Sequence, residues 1–309
     1  MLNGPGLVAS LADRRGGVVL FGLTPPRSTS TPEKVQEVAD RTLERLAGLD
    51  LDGIVLYDID DESDRNAAER PFPFASTIDP AEFAERLVGW EKPVVIYRCV
   101  GKYEEEHLTG WLRAQDADRV LTVFVGASSR GKPVRTSLPR AQELRTEHRP
   151  DLMLGAVAIP ERHVDRGGED ARLLAKQARG CSFFITQVVY DLNAAKDLLS
   201  DYTYACREEG VAPVPVLFTL SVCGSAKTLD FLQWLGVRVP RWIQNELRHT
   251  DDTLAESFDQ CLATATELVA FADRLGAPIG FNVESVAVRR AEIEASVELA
   301  ARVRALLPR

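Results

Sequence analysis

Three groups of polar side chains follow apolar runs closely enough to do chemistry. The first is Gln187, Tyr190 and Asp191, which come directly after Ser182-Phe183-Phe184-Ile185-Thr186. A primary amide offers one donor side and one acceptor side, so Gln187 can pair with the edge of a heterocycle. It can equally cap a neighbouring loop. Tyr190 can stack on such a ring. Asp191 precedes a helical pattern at 192–209 and reads first as its cap. The second group is Glu161 with His163, whose imidazole titrates near neutrality and can move a proton or contact phosphate.

The third group is Asn282 and Glu284, two residues apart and therefore on one face of a strand. A carboxyl there, or at Asp58 or Asp60 after the run 53–57, can serve as a general acid if its pKa is raised. Glu284 can instead cap the last helix. Arg98, at the end of another run, can clamp a substrate carboxylate or neutralise Glu161 or Asp58. Lys176, Arg130, Lys132 and Arg135 are candidates for an anionic tail or a diphosphate. His107, His148 and His249 sit in charged helical surroundings and read as surface residues. No His/Cys/Asp/Glu set has metal-ligand spacing, and no Gly-x-Gly-x-x-Gly follows a strand.

These groups need elements to carry them. Eight apolar runs rich in Val, Ile, Leu and Phe stand at 17–22, 53–57, 93–98, 120–125, 152–158, 182–187, 214–218 and 278–283. They lack strict alternation, as expected of strands covered on both faces. Amphipathic patterns such as 32–48, 170–179 and 193–209 separate them, and Thr31-Pro32 and Asp79-Pro80 sign two helix starts. Eight strand–helix repeats predict a closed parallel (β/α)8 TIM barrel in a single domain spanning 1–309. The seventh repeat is extended by helical patterns at 226–235 and 251–275. Chemistry is expected where the strands end, at the carboxyl face of the barrel.

Bulk composition narrows the partners. The chain has 309 residues, a formal net charge of −9 and a pI near 5.2, so it lacks the basic surface that nucleic acid demands. No apolar run reaches the ~20 residues of a membrane helix, and the start lacks the layout of a secretion signal. Cys99, Cys181, Cys206, Cys223 and Cys261 are scattered without a Cys-x-x-Cys pair, which reads as reduced core thiols in a cytoplasmic protein. A small-molecule ligand is the expected partner, with room for a homo-oligomer.

Several longer segments resemble one known family in order. They are Phe21-Gly22-Leu23-Thr24-Pro25-Pro26, Ile159-Pro160-Glu161-Arg162-His163, Lys176, Ile185-Thr186-Gln187-Val188-Val189-Tyr190-Asp191 and Val237-Arg238-Val239-Pro240-Arg241-Trp242. Methylenetetrahydrofolate reductases, flavin-dependent barrels of one-carbon metabolism, carry similar runs at the matching strand ends. The resemblance implies hydride transfer from reduced FAD to the methylene carbon of 5,10-methylenetetrahydrofolate, giving 5-methyltetrahydrofolate, with NAD(P)H as the electron source. It implies that Gln187 holds the pterin, that Tyr57 and Tyr190 flank it with Asn282 nearby, and that His163, Lys176, Glu161, Gly126 and Arg130 face the flavin.

Departures fall on the flavin and catalytic positions of that family, among them Tyr97 or Arg98 in place of a His and Phe218-Thr219 in place of a Pro-Gly. Gly22 stands where the family carries a proton-donating Glu, and Val125-Gly126-Ala127 replaces its Arg-Gly-Asp. They keep open a divergent folate or heterocycle enzyme with little or no flavin, working by transfer or lyase chemistry through Glu284, Asp58 or Arg98. They also keep open a non-catalytic folate-binding subunit.

Overall fold

The computed structural model describes residues 6–61, 68–126 and 133–307. Eight parallel strands close into a barrel in the order β1 to β8. They are β1 (Val19–Leu23), β2 (Gly53–Leu56), β3 (Val94–Cys99), β4 (Val120–Val125), β5 (Leu154–Ala158), β6 (Cys181–Val188), β7 (Val216–Ser221) and β8 (Ile279–Glu284). The eight-strand expectation holds, with ends displaced by up to three residues. The largest shift is at β7, where the apolar run gives way to Thr219 and Ser221 but pairing with β8 continues to Ser221↔Glu284.

Helices fill the intervals: α1 (Leu7–Ala12), α2 (Pro32–Leu46), α3 (Pro80–Arg86), α4 (Glu105–Ala114), α5 (Leu138–His148), α6 (Pro160–Arg166), α7 (Glu169–Ala178) and α8 (Leu192–Glu208). After β7 come three in succession, α9 (Ala226–Trp234), α10 (Arg241–His249) and α11 (Thr253–Leu275), and α12 (Arg290–Leu306) follows β8. Their starts are set by local chemistry. Thr31, Asp79, Ser137, Asp191, Ser225 and Asp252 each accept a backbone N–H of the first turn, and Pro32 and Pro80 open α2 and α3.

The chain divides into two compact units, one of Met1–Phe21, Leu49–Asp52 and Val157–Arg309, the other of Gly22–Gly48 and Gly53–Ala156. In the larger unit β6, β7 and β8 pair in parallel, and the start of β1 joins β8 through Phe281 N–H donating to the Val18 carbonyl at 2.8 Å. Gly280 permits that approach, because a Cβ there would lie 2.4 Å from the Val18 oxygen. Fully buried Phe183, Phe184, Phe218, Phe281 and Tyr202 make its core. In the smaller unit β2 pairs with β3, and β3 with β4 over six consecutive residues.

All five cysteines are buried and none is in a disulfide. Burial pushes the thiols of Cys223 and Cys261 up to about 12, so neither is a nucleophile at neutral pH. Among the described residues no helix is long and apolar enough to cross a membrane, and no cluster of His, Cys, Asp or Glu is fit to hold a metal ion.

Candidate functional site

In the larger unit, polar side chains run across the carboxyl ends of β6, β7 and β8. A register irregularity between Ile185 and Val188 breaks the β6–β7 ladder. There the Thr186 hydroxyl accepts from Thr219 N–H at 2.9 Å and donates to the Gln187 carbonyl at 2.7 Å, satisfying backbone groups that the bulge would strand. The Thr219 hydroxyl in turn donates to the Thr186 carbonyl at 2.7 Å. Its single proton is thereby committed, so only an N–H can meet it from the other side. Asn282 Nδ2 does so at 3.3 Å and also reaches Glu284 Oε2 at 3.4 Å. This fixes the amide: the nitrogen faces Thr219 and Glu284, and the oxygen is turned the other way.

Asn282 is fully buried and Glu284 partly exposed, so a buried amide braces a carboxylate that solvent or a ligand can reach. The alternative in which Glu284 caps the last helix is not what forms. α12 begins after Arg289 with no side-chain cap, and its Ser296 Oγ donates to the Glu284 carbonyl at 3.0 Å.

Gln187 lies at the bulge and is partly exposed. Its Nε2 donates to the Leu235 carbonyl at 2.9 Å, the loop-capping arrangement that the sequence also allowed. Glu161 secures the same segment, since its Oε1 accepts from Arg238 N–H at 3.4 Å. Glu161 is 5% exposed and its Oε2 is buried with no hydrogen-bond partner. Burial, opposed by the amide bonds it accepts and aided by the charge of Asp191, pushes its carboxyl up to about 7.

Other expected site residues of this unit serve packing. Tyr190 is 3% exposed, and its hydroxyl contacts the Ser221 carbonyl and Ser257 Oγ at 2.8 Å each. It is therefore a core residue and cannot flank a ligand. Asp191 caps α8, accepting from Ala194 N–H at 3.1 Å. His163 belongs to the helix layer, where Nε2 meets Asp201 of α8 at 2.9 Å and Nδ1 lies 3.6 Å from Asp170 of α7. Lys176 turns Nζ back onto the Val157 carbonyl at 2.6 Å and lies 3.9 Å from the buried Glu169. Burial lowers its pKa against the pull of Glu169.

The smaller unit carries its own cluster. Asp58 Oδ2 accepts from Cys99 N–H at 2.7 Å and from the Tyr103 hydroxyl at 2.8 Å, while Oδ1 pairs with Lys102 Nζ at 2.5 Å. With 7% exposure and both oxygens engaged by three donors, Asp58 is committed to internal partners instead of the general-acid role expected of it. Asp60 accepts from Asp61 N–H at 2.9 Å.

Arg98 is 3% exposed, lies over the Trp111 ring of α4 at 4.2 Å and pairs with Asp79 at 2.5 Å. Burial alone would raise the Asp79 carboxyl, but the Arg98 charge outweighs it and holds Asp79 low. Arg98 therefore points to the helix side of β3, where Asp79 takes its charge instead of a substrate carboxylate or Asp58. Its neighbour Tyr97 takes the opposite face and meets Tyr57 edge-on at 4.9 Å, with Tyr57 partly exposed. Arg135 pairs with Glu104 at 3.5 Å. A Cβ at Gly126 would meet open space, and Arg130 and Lys132 lie outside the described residues.

Among the described residues assigned to a flavin by resemblance, His163, Lys176 and Glu161 do not fit one. A dinucleotide needs cations and free N–H groups for its diphosphate. His163 and Lys176 are spent on internal partners on the helix side, and Glu161 would bring a further carboxyl. Sequence reasoning missed Thr186, Thr219, Lys102 and Tyr103. The signal for the first two was present, as hydroxyls near the ends of otherwise apolar strands.

No protein-family model matches the chain, and no curated protein matches it by sequence. Among solved structures, a 2,3-dimethylmalate lyase of the PEP mutase/isocitrate lyase superfamily (13% identity, TM-score 0.46, 95% of this chain and 93% of that one) is too distant to bear on function. So is a Xanthomonas albilineans dihydropteroate synthase (16% identity, TM-score 0.44, 94% of each chain). The likeness is of another order for an uncharacterized protein from Clostridium thermocellum that binds two copies of 5-methyl-5,6,7,8-tetrahydrofolic acid. That protein is 40% identical with a TM-score of 0.85 over 97% of this chain and 99% of its own. The strand-end network described above therefore belongs to a barrel of the same family as that methyltetrahydrofolate-binding protein.

Proposed function

We propose that this protein binds a reduced folate at the carboxyl ends of β6–β8 and acts on its one-carbon unit. The observation that carries the reading is the 40% identity, over nearly the whole of both chains, to a barrel that binds 5-methyltetrahydrofolate. The strand-end chemistry agrees. A pterin presents two adjacent N–H donors, at its ring N3 and its 2-amino group, and a carboxylate is the acceptor-only group that matches them. Glu284, steadied by Asn282 and reachable from outside, is such a carboxylate. Gln187 would take the remaining edge of the ring by exchanging the Leu235 carbonyl for the ligand.

Reductase chemistry is the finer reading. Opening the methylene bridge needs a proton donor that Gly22 cannot supply. Glu284 can replace it only in a pose where it does not accept the pterin N–H groups, and Asp58 has both oxygens engaged by Lys102, Tyr103 and Cys99. A reduced flavin would supply hydride if bound, but the residues present speak for a protein with little or no flavin.

Titration calorimetry with 5-methyltetrahydrofolate tests the binding. Saturable binding supports the reading, and no binding of either the methyl or the methylene form rejects it. Turnover of methylenetetrahydrofolate with a nicotinamide donor, lost in Glu284→Gln, would support the reductase. Tight binding without turnover would leave a folate-binding subunit.

A further inference from the structure

Two buried acids of α6 and α7 differ in their surroundings. Glu169 of α7 is fully buried and lies 3.4, 3.3 and 3.9 Å from Arg162, Arg172 and Lys176. Its charge is compensated where it sits. Glu161, in the first turn of α6, has no such company. Its Oε1 accepts the Arg238 N–H at 3.4 Å, and its Oε2 is buried without a hydrogen-bond partner among the described residues. Asp191, at the head of α8, opposes its ionisation more than the Arg238 guanidinium, which is paired with Asp165, favours it. An imidazole is the usual source of pH dependence near neutrality. His163 of α6, however, faces Asp170 and Asp201.

What Glu161 holds is the segment that leads from α9 to α10. Gly236 takes φ +91° there, and Val237 and Val239 are buried. Gln187 Nε2 ties one end through the Leu235 carbonyl, and Glu161 ties the other through the Arg238 N–H. The Arg238–Asp165 ion pair is exposed and adds little. A neutral carboxyl accepts the Arg238 N–H at little cost. An ionised one with a bare oxygen in a dry place is costly, and the cost is relieved when the segment lifts and water reaches it.

We propose that Glu161 is a proton-operated latch on residues 235–239: neutral, it holds the segment closed with Gln187 bonded to Leu235, and ionised, it favours release, which frees the Gln187 amide for a ligand at the end of β6. The latch rests on these contacts alone, so it stands or falls apart from the folate reading.

Amide hydrogen exchange of the full chain, resolved at Arg238 and followed from pH 6 to pH 8, tests it. The closed form keeps a proton that the open form has released, so closing weakens as pH rises. With the carboxyl at about 7 when closed and near 4.5 when open, protection corrected for the intrinsic exchange rate should fall about ten-fold over that range. Arg238 should also exchange faster than Phe281 of the barrel wall, since the latch opens locally. Glu161→Gln keeps the acceptor and cannot ionise, so its protection should not change with pH. Asp191→Asn keeps the α8 cap but removes the opposing charge, and should move the midpoint to lower pH. Protection that is flat with pH in wild type, that falls equally in Glu161→Gln, or that matches Phe281 overturns the proposal. If Glu161→Gln does not fold, Asp191→Asn decides: a lowered midpoint supports the latch and an unmoved one overturns it.

Discussion

The Gln187 amide donates to the Leu235 carbonyl at 2.9 Å, so the residue best suited to read a heterocycle edge is bound to the end of α9. The amide also carries an oxygen and a second N–H that a ligand can use beside Leu235, so removing the amide acts twice. Gln187→Ala should lower affinity for 5-methyltetrahydrofolate by about 1–3 kcal/mol, measured by calorimetry, and also lower the melting temperature slightly. A melting shift with unchanged affinity would confine Gln187 to loop capping.

Glu284 owes its position to a relay. Thr186 takes the Thr219 proton, Thr219 therefore orients Asn282, and Asn282 donates to Glu284. If Glu284 accepts two N–H groups of a pterin, Glu284→Gln sets an N–H against one of them. Affinity should fall by about 2–3 kcal/mol, the scale of hydrogen bonds to a charged group. Thr219→Val removes the acceptor that orients Asn282 and should give a smaller loss in the same direction. Equal affinity in wild type and Glu284→Gln would exclude the carboxylate from ligand recognition.

Glu161 predicts a pH dependence of stability. Its folded pKa of about 7 lies above the ordinary 4.5, because burial penalises the charge. Between those values the folded state holds a proton that the unfolded chain has released, so stability declines as pH rises through this window and levels off above it. The full difference is on the order of 3 kcal/mol. Glu161→Gln removes the ionisation. Its melting temperature relative to wild type should therefore be higher at pH 8 than at pH 5, by differential scanning calorimetry. A difference independent of pH would show that Glu161 is not protonated in the native state.

The barrel was legible because its signals are local. Apolar runs bounded by Thr31-Pro32, Asp79-Pro80 and Asp191 mark strands and helix starts without reference to distant residues. The site was only partly legible because spacing gives the face of a side chain but not its partner. Asn282 and Glu284 were placed together by their separation of two, and they do interact. Arg98 and Tyr97 are adjacent, and sequence could not say that the Trp111 ring would draw the arginine to the helix side. His163 looked chemical beside Glu161, but α6 turns it toward Asp170 on the next helix and toward Asp201 far along the chain.

Tyr190 shows the same limit and gives the last prediction. Its hydroxyl lies 2.8 Å from both the Ser221 carbonyl and Ser257 Oγ, and Ser257 Oγ accepts from Cys223 N–H at 2.7 Å. Only one proton order satisfies all three contacts. Cys223 N–H donates to Ser257, Ser257 donates to Tyr190, and Tyr190 donates to the Ser221 carbonyl at the end of β7. Burial raises the phenol pKa well above its usual value, so the hydroxyl keeps its proton at any working pH. Tyr190→Phe leaves the Ser257 proton and one acceptor site of Ser221 without this partner in a dry environment. The expected cost is about 1–3 kcal/mol, a fall of several degrees in melting temperature. Folate affinity should not change, because the ring stays packed in the core and never met the ligand. A Tyr190→Phe protein that melts like wild type but binds folate more weakly would return Tyr190 to the ligand site.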